Sequence, residues 1–423
     1  MSQEHVQTLR PSGFGWLWLG QAVTVLGDRA LGVALPYVVY QQTGSLSSTA
    51  LLALAGYLPG LLFGSLAGVL VDRWDRRRVL IVTQLLQGAV ILLLLLAGPG
   101  RLWLATAVMF TELTLSLLAL PAGAALLPTL VGEAALARAM ARLLVATTTA
   151  RLLGPVLGGV LAAGAGMRAV VLLDALSFVL AAALFSQLPG QLQAPRGPRP
   201  SSLISSWQAM GQEWRGGLRV IAQHRVISTL FVTLALTSLG GTLVDPYYMG
   251  FVQGVLHATP VEVGLLSTVI GAGTLLGSVA ATWAVETIDL RRLVSLGTIT
   301  VGGLMVGLYH QASLPPVLVL GAVLGLPMVV ANVAASTLLQ LGTPEGFRGR
   351  VYGALGTTNA FMGVMAAGGA ALIGNRVDVV PMLTLAGALT VLAGLAALAL
   401  PGQDREGGLA WPIIGGWHAR ARR

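Results

Sequence analysis

Four ionisable residues sit inside long apolar stretches of this sequence: Asp28, Arg29, Glu112 and Arg151. A charge at membrane depth is costly and marks a functional position by default. Apolar surroundings favour the protonated form of a carboxyl group, and a guanidinium brought beside it favours the ionised form. Asp28 and Glu112 therefore suit proton carriage, with Arg151 or Arg29 as counter-ion. Counted along helices at about 1.5 Å per residue, all four reach similar depth, near the middle of their stretches. Asp28 and Arg29 diverge by about 100° around the helix axis, so they do not share one face. The same residues equally suit a permanent ion pair that locks the first, fourth and fifth stretches together. Asp174, read as lying in the outer third of its stretch, suits a structural role, accepting from Arg168 or a backbone donor. Asp245 and Glu262 fall toward outer ends, so the second half of the chain offers no comparable cluster.

Other chemistries are excluded by residue type. Cysteine is absent, which removes disulfides, thiolate metal sites and thiol nucleophiles. Lysine is also absent, so no phosphate-binding loop of the form G-x4-G-K-[ST] exists. His5, His224, His257, His310 and His418 are scattered without metal-ligand spacing. No G-x-S-x-G serine elbow occurs in a strand-turn-helix setting. The reading is of a protein that is not an enzyme and holds no metal and no cofactor.

The elements that must position these charges follow from composition. With 55% hydrophobic and 10% charged residues and a mean hydropathy of +0.80, the chain has too little polar surface for a soluble fold. A helix needs about 20 apolar residues to cross a bilayer. The sequence divides into twelve such stretches, at 14–41, 47–71, 79–97, 102–126, 140–164, 168–188, 226–252, 261–285, 292–310, 315–340, 351–374 and 379–400. They lack the alternation of barrel strands, so the predicted class is an all-α membrane protein.

All 25 basic residues are Arg. With the N-terminus inside, 20 of them fall on the cytoplasmic side, while Arg101, Arg168 and Arg376 fall outside and Arg29 and Arg151 within spans. This bias predicts both termini in the cytoplasm. It also assigns the net charge of +9 to a membrane face, so no nucleic acid partner is expected. Met1 to Pro11 carries no charged region or small-residue cleavage site of a signal peptide. Arg without Lys, beside 55 Gly, is the coding bias of a GC-rich bacterial genome and suggests the inner membrane of a bacterium.

A polar segment divides the spans six and six. The expected domains are an N-terminal bundle at 1–188, a cytoplasmic linker at 189–225, a C-terminal bundle at 226–400 and a cytoplasmic tail at 401–423. In the linker, Leu203, Trp207, Met210, Trp214, Leu218 and Ile221 recur at helical spacing, the pattern of an amphipathic helix on the membrane surface. Internal symmetry supports a duplication. Asp72-x2-Asp75-x-Arg77-Arg78 is matched 214 residues later by Glu286-x2-Asp289-x-Arg291-Arg292, and Glu133-x4-Arg138 is matched 212 residues later by Glu345-x4-Arg350. Both offsets are close to half the chain, as expected of a transporter whose two repeats rock around a central site.

Gly68-x3-Asp72-Arg73-x-Asp75-Arg76-Arg77-Arg78 resembles the signature loop of the major facilitator superfamily, with Asp75 in place of the usual loop glycine. The branch it resembles is that of macrolide efflux proteins and the enterobactin exporter. Gly27-Asp28-Arg29, Asp174-Ala175-Leu176-Ser177-Phe178 and Arg348-Gly349-Arg350-Val351-Tyr352-Gly353 match that branch too. Gly154-Pro155-x2-Gly158-Gly159 resembles the antiporter motif of exporters in the superfamily, with Ala150 for the usual upstream glycine. Generic helix packing accounts for the same glycines.

The resemblance covers about 14–400 and implies two six-helix bundles of the major facilitator fold. It implies a conformational latch at Gly68, Asp72, Arg73, Arg76 and Arg77, although these arginines also serve as topology determinants. It further implies secondary active export of small amphipathic or hydrophobic compounds such as drugs, by proton antiport and alternating access, from a monomer in the lipid bilayer. Tyr247, Asn332, Asn359, Phe361, Met362 and Met365, with Tyr248, Met249 and Gln340 nearby, are candidates for the wall of the substrate cavity, where Met and aromatic side chains adapt to varied ligands. The alternatives are an exporter of an endogenous metabolite or siderophore, a lysophospholipid flipper, and a membrane scaffold or sensor that transports nothing.

Overall fold

A computed structural model of the chain describes residues 11–71, 74–98, 100–189, 215–216, 219, 221–343 and 345–400. The linker helix expected around Leu203 to Ile221, the tail at 401–423, and Asp72 and Arg73 lie wholly or mostly outside these residues. The described residues form twelve helices long and apolar enough to cross a membrane, and the chain is a multi-pass membrane protein.

The first six helices are α1 (Pro11–Thr43), α2 (Leu46–Val71), α3 (Arg76–Leu92), α4 (Leu102–Val131), α5 (Glu133–Gly164) and α6 (Gly166–Phe185). The second six are α7 (Arg225–Met249), α8 (Pro260–Thr287), α9 (Leu290–Tyr309), α10 (Leu314–Gly342), α11 (Glu345–Ile373) and α12 (Val379–Ala397). Two ends run longer than the hydropathy suggests. A π-helical turn, Gly250–Val255, carries α7 onward, and α5 begins at Glu133, so Arg138 and Arg142 lie on a helix and not in a loop.

The duplication read from the loops is repeated in the packing. In the first half α1 packs on α5 and α6, α2 on α4, and α3 on α4 and α6. In the second half α7 packs on α11 and α12, α8 on α10, and α9 on α10 and α12. Matched side chains set matched caps. The Asp75 carboxylate accepts from the Arg78 backbone N–H at 2.8 Å to start α3, and Asp289 accepts from Arg291 N–H at 2.9 Å to start α9. Such a cap satisfies an N–H group that the first helical turn cannot pair. The Arg77 guanidinium then donates to the carbonyl of Ser186 at the end of α6, and Arg291 donates to the carbonyl of Leu400 beyond α12 at 2.9 Å.

The two halves touch through α2 against α7 and α11, and through α5 against α8. The described contacts run from the hairpin end, opposite the termini, to about the middle of the helices, where Gly60 faces Ala360 and Gly271 meets Leu152. At the hairpin end one apolar core takes Tyr37, Leu46 and Ala50 from the first half together with Tyr247, Phe251, Val252 and Val263 from the second. At the terminal end the cores are separate, one around Leu17, Val79 and Phe185 and others around Leu230, Leu338 and Val351. Among the described residues every hydrogen bond between halves lies on the hairpin side. Tyr37 donates to the Ala258 carbonyl at 3.1 Å, Gln253 to the Tyr37 carbonyl at 2.8 Å, Thr49 to the Pro246 carbonyl at 3.0 Å, and Thr268 to the Leu152 carbonyl at 2.6 Å. Asn375 joins Ser45 and Ser47 in the same way.

Candidate functional site

Between the halves, on the side where they meet, lies a cavity of about 380 Å³. Its walls come from α1, α2 and α4 of the first half and from α7 of the second. Most of the lining is apolar, including Leu31, Leu52, Met109, Leu113 and Met249, and the polar groups are few: Thr49, Tyr57, Tyr248 and Asp245. Pockets that hold small molecules have this composition, a mainly apolar wall with a few fixed polar points. Gly32 and Gly56 face the space without side chains to fill it.

The Tyr57 hydroxyl on α2 donates to the Asp245 carboxylate on α7, so the principal polar pair of the cavity also ties the halves together. Asp245 was read from sequence as a span-end residue. In the structure Asp245 lies ten residues from the hairpin end of the continuous helix Arg225–Val255, toward that end as expected, and it faces the cavity. Tyr57 carries no sequence signal of its own, being one aromatic residue in an apolar span. Its ring is seated against Gly363 of α11, where a side chain would collide with it.

The sequence candidates for the cavity wall fall elsewhere. Tyr247 is 1% exposed, packed in the core, and its neighbours Tyr248 and Met249 face the cavity instead. Asn332, Asn359, Phe361, Met362 and Met365 do not line this cavity. Phe361 and Met365 share a helical stripe with Leu372, exposed at 46%, 55% and 82%. Asn359 is turned to another side of α11, about 200° from Phe361, and is exposed.

Beside the cavity, three carboxyl groups gather. Asp28 precedes the cavity residues Leu31 and Gly32 on α1, and Glu112 lies between Met109 and Leu113 on α4. Asp174 on α6 is near both and is buried. Its place corrects the outer-third reading: Asp174 is packed against Gly27, where an added Cβ would strike its carboxylate and the Ser177 hydroxyl. Arg168 lies at the hairpin end of α6, away from Asp174, and borders a different cavity.

The buried Glu112 accepts from Gln87 of α3 at 2.9 Å, and Gln84 donates to Gln87 at 3.3 Å. These two glutamines were legible as polar residues three apart in an apolar span, and sequence reasoning passed over them. Arg29 and Arg151 stand near each other on α1 and α5, both exposed. Among the described residues no ion pair joins either of them to Asp28 or Glu112. The direct ion pair that would lock these helices is therefore not formed in this conformation, although Arg29 is close enough to Asp28 to act on it through space.

The glycines of α5 permit two close approaches. Gly154 and Gly158 lie against the backbone of α1 at Leu26 and Ala30, within the first half. Gly159 lies against Pro260 and Val261 of α8, and the Pro155 carbonyl meets Gly264 of α8, across the halves. Small residues at such positions let helix backbones approach closely, which is the main source of helix association in lipid. In the signature loop, Arg76 donates to the Ala125 carbonyl of α4 at 3.1 Å and Arg77 to Ser186, both within the first half. Gly68 is part of α2, and Asp72 and Arg73 are outside the described residues.

A profile of the Major Facilitator Superfamily matches residues 17–367. The chain is 31% identical over 394 residues to the multidrug efflux pump Tap of Mycobacterium tuberculosis, covering 89% of this chain and 87% of that protein. It is 23% identical over 385 residues to macrolide efflux protein A of Streptococcus pyogenes, covering 89% and 93%. Among solved structures it is similar to a bacterial homologue of the iron transporter ferroportin in an inward-facing state, with a TM-score of 0.70, 18% identity, and coverage of 93% of this chain and 99% of that one. It is also similar to the nucleoside transporter NupG, with a TM-score of 0.73 at 10% identity over 92% and 100% of the chains. At these identities the solved structures speak for the fold alone.

Proposed function

The chain belongs to the major facilitator superfamily and is a transporter rather than an enzyme; from that premise we propose that it is a secondary active exporter of small amphipathic or hydrophobic compounds, driven by proton exchange. The observation that carries this reading is the apolar cavity at the junction of the halves, with the Asp28 and Glu112 carboxyl groups beside it on α1 and α4, which share its wall, and Asp174 near both on α6. Its relatives are named as efflux proteins for several drugs or for macrolides, which fits a wall of Met, Leu and Tyr side chains that adapt to different ligands.

Alternating access proceeds by rocking one six-helix half against the other. With both termini in the cytoplasm, as the Arg distribution favours, the present contacts close the outer side and the substrate is loaded from within. Release outward requires the Tyr57–Asp245 bond and the Asn375 contacts to break. In the opposite state the loop of Gly68, Asp72, Arg73, Arg76 and Arg77 draws the inner ends of the halves together. The glycines of α5 and α8 form the sliding contact between them.

Protonation of Asp28 and Glu112 removes charge from the interior and eases closure, and a swing of Arg29 or Arg151 toward them expels the proton. The protein acts in a bacterial inner membrane, as a monomer of two bundles joined by the 189–225 linker.

Proteoliposomes with an imposed pH gradient test this. Gradient-driven accumulation of ethidium or a macrolide, abolished by Asp28→Asn, is the expected result. Substrate movement that Asp28→Asn leaves intact overturns the coupling, and failure of every drug, dye and lipid to move overturns export itself.

A further inference from the structure

A second cavity, of about 310 Å³, lies inside the first half at its hairpin end, among α1, α4, the turn that follows α3 and the start of α6. It takes no part in the junction between halves. Much of its lining is apolar, built from residues such as Leu35, Val39, Leu94 and Ala105, and its polar groups are Gln42, Thr43 and two guanidinium groups, Arg101, which donates to the Leu96 carbonyl at 3.4 Å, and Arg168.

These two arginines are exceptions to the charge rule of the chain, in which 20 of 25 face the other side. No acidic residue occurs in the connections at this end of the first half or in the first turns of α4 and α6. Arg101 and Ala165 begin those two helices with no side-chain cap, so unpaired N–H groups add to the positive field. The surroundings are those of a bilayer boundary. Trp103, Leu96 and Leu172, close to the cavity residues in sequence, are exposed apolar side chains, and Trp favours the interface between headgroups and acyl chains.

We infer that this cavity is a binding site for an anionic phospholipid of the leaflet at the hairpin end, with the phosphate on Arg101 and Arg168 and an acyl chain among Leu35, Val39, Leu94 and Ala105. Charge complementarity selects the headgroup, since a guanidinium matches phosphate oxygens in pairs. The apolar lining selects an amphiphile over a free anion, which would leave that surface without a partner.

Native mass spectrometry of the full chain in micelles containing equal amounts of phosphatidylglycerol and phosphatidylcholine tests the site. The expected result is retention of phosphatidylglycerol in excess by roughly thirtyfold, as two surface arginines at about 1 kcal/mol each confer, with the excess unchanged by added inorganic phosphate. Arg101→Gln with Arg168→Gln brings the ratio to unity, while Arg376→Gln, the third arginine of that side, keeps it. Ala105→Leu fills the cavity without touching either guanidinium and lowers retention of both lipids. The inference is overturned if the double variant keeps the excess, if Ala105→Leu changes nothing, or if inorganic phosphate displaces the lipid from the wild type.

Discussion

The Tyr57 hydroxyl of α2 donates to the Asp245 carboxylate of α7, and this one bond both lines the cavity between the halves and holds them together. A hydrogen bond to a charged group contributes about 1.5–3 kcal/mol, so its loss shifts a two-state equilibrium about tenfold or more. Tyr57→Phe and Asp245→Asn are therefore expected to favour the state open at the hairpin end. Because the chain has no cysteine, spin labels can be placed at Gly100→Cys and Ser313→Cys without background. The distance distribution between them should gain a longer component in both variants. An unchanged distribution would show that the bond does not bias the equilibrium.

Gly158 and Gly159 are neighbours with different duties. A side chain at Gly158 meets the backbone of Ala30 within the first half, and one at Gly159 meets the backbone of Pro260 in the second. Gly158→Leu is predicted to destabilise the fold by about 1–3 kcal/mol through overpacking. Gly159→Leu can relieve its clash by moving the halves, so it should alter the label distances while costing less in thermal melting. Equal melting losses without any change in distance would contradict this division.

Arg77 and Arg291 perform matched tasks, each tying the third helix of its half to the end of the sixth. Arg77→Gln and Arg291→Gln should each cost about 1 kcal/mol. The sites are far apart, and the losses should add within about 0.5 kcal/mol. Thermal unfolding of the single and double variants in detergent measures both quantities, and a strongly non-additive double variant would argue against independent halves.

Asp174 and Gln87 accompany Asp28 and Glu112 in the first half. Asp174→Asn and Gln87→Leu are expected to reduce gradient-driven transport by about tenfold, on the scale of a lost hydrogen bond or charge interaction in such a group. Facilitated exchange without a gradient should be affected less. If both processes fall together, these residues serve folding or substrate passage and not coupling.

Much of this was present in the order of residues. Twelve apolar stretches, the Asp75 and Asp289 caps, the 214-residue offset and the isolated charges Asp28 and Glu112 are local signals, because span length, capping and depth depend on near neighbours along the chain. The tertiary structure decided what lies side by side. Asp174 joins Asp28 only because α6 packs on α1 through Gly27. Asp245 meets Tyr57 at the cavity because α7 packs on α2, and Tyr248 replaces Tyr247 at the wall because two adjacent residues on a helix point about 100° apart. Nor does any sequence period state that the halves meet at one end, where Tyr37, Tyr57 and Asn375 find partners about 200 to 330 residues away. Lateral contacts between helices are set by the fit of distant side chains in lipid, and that fit leaves no regular spacing along the chain.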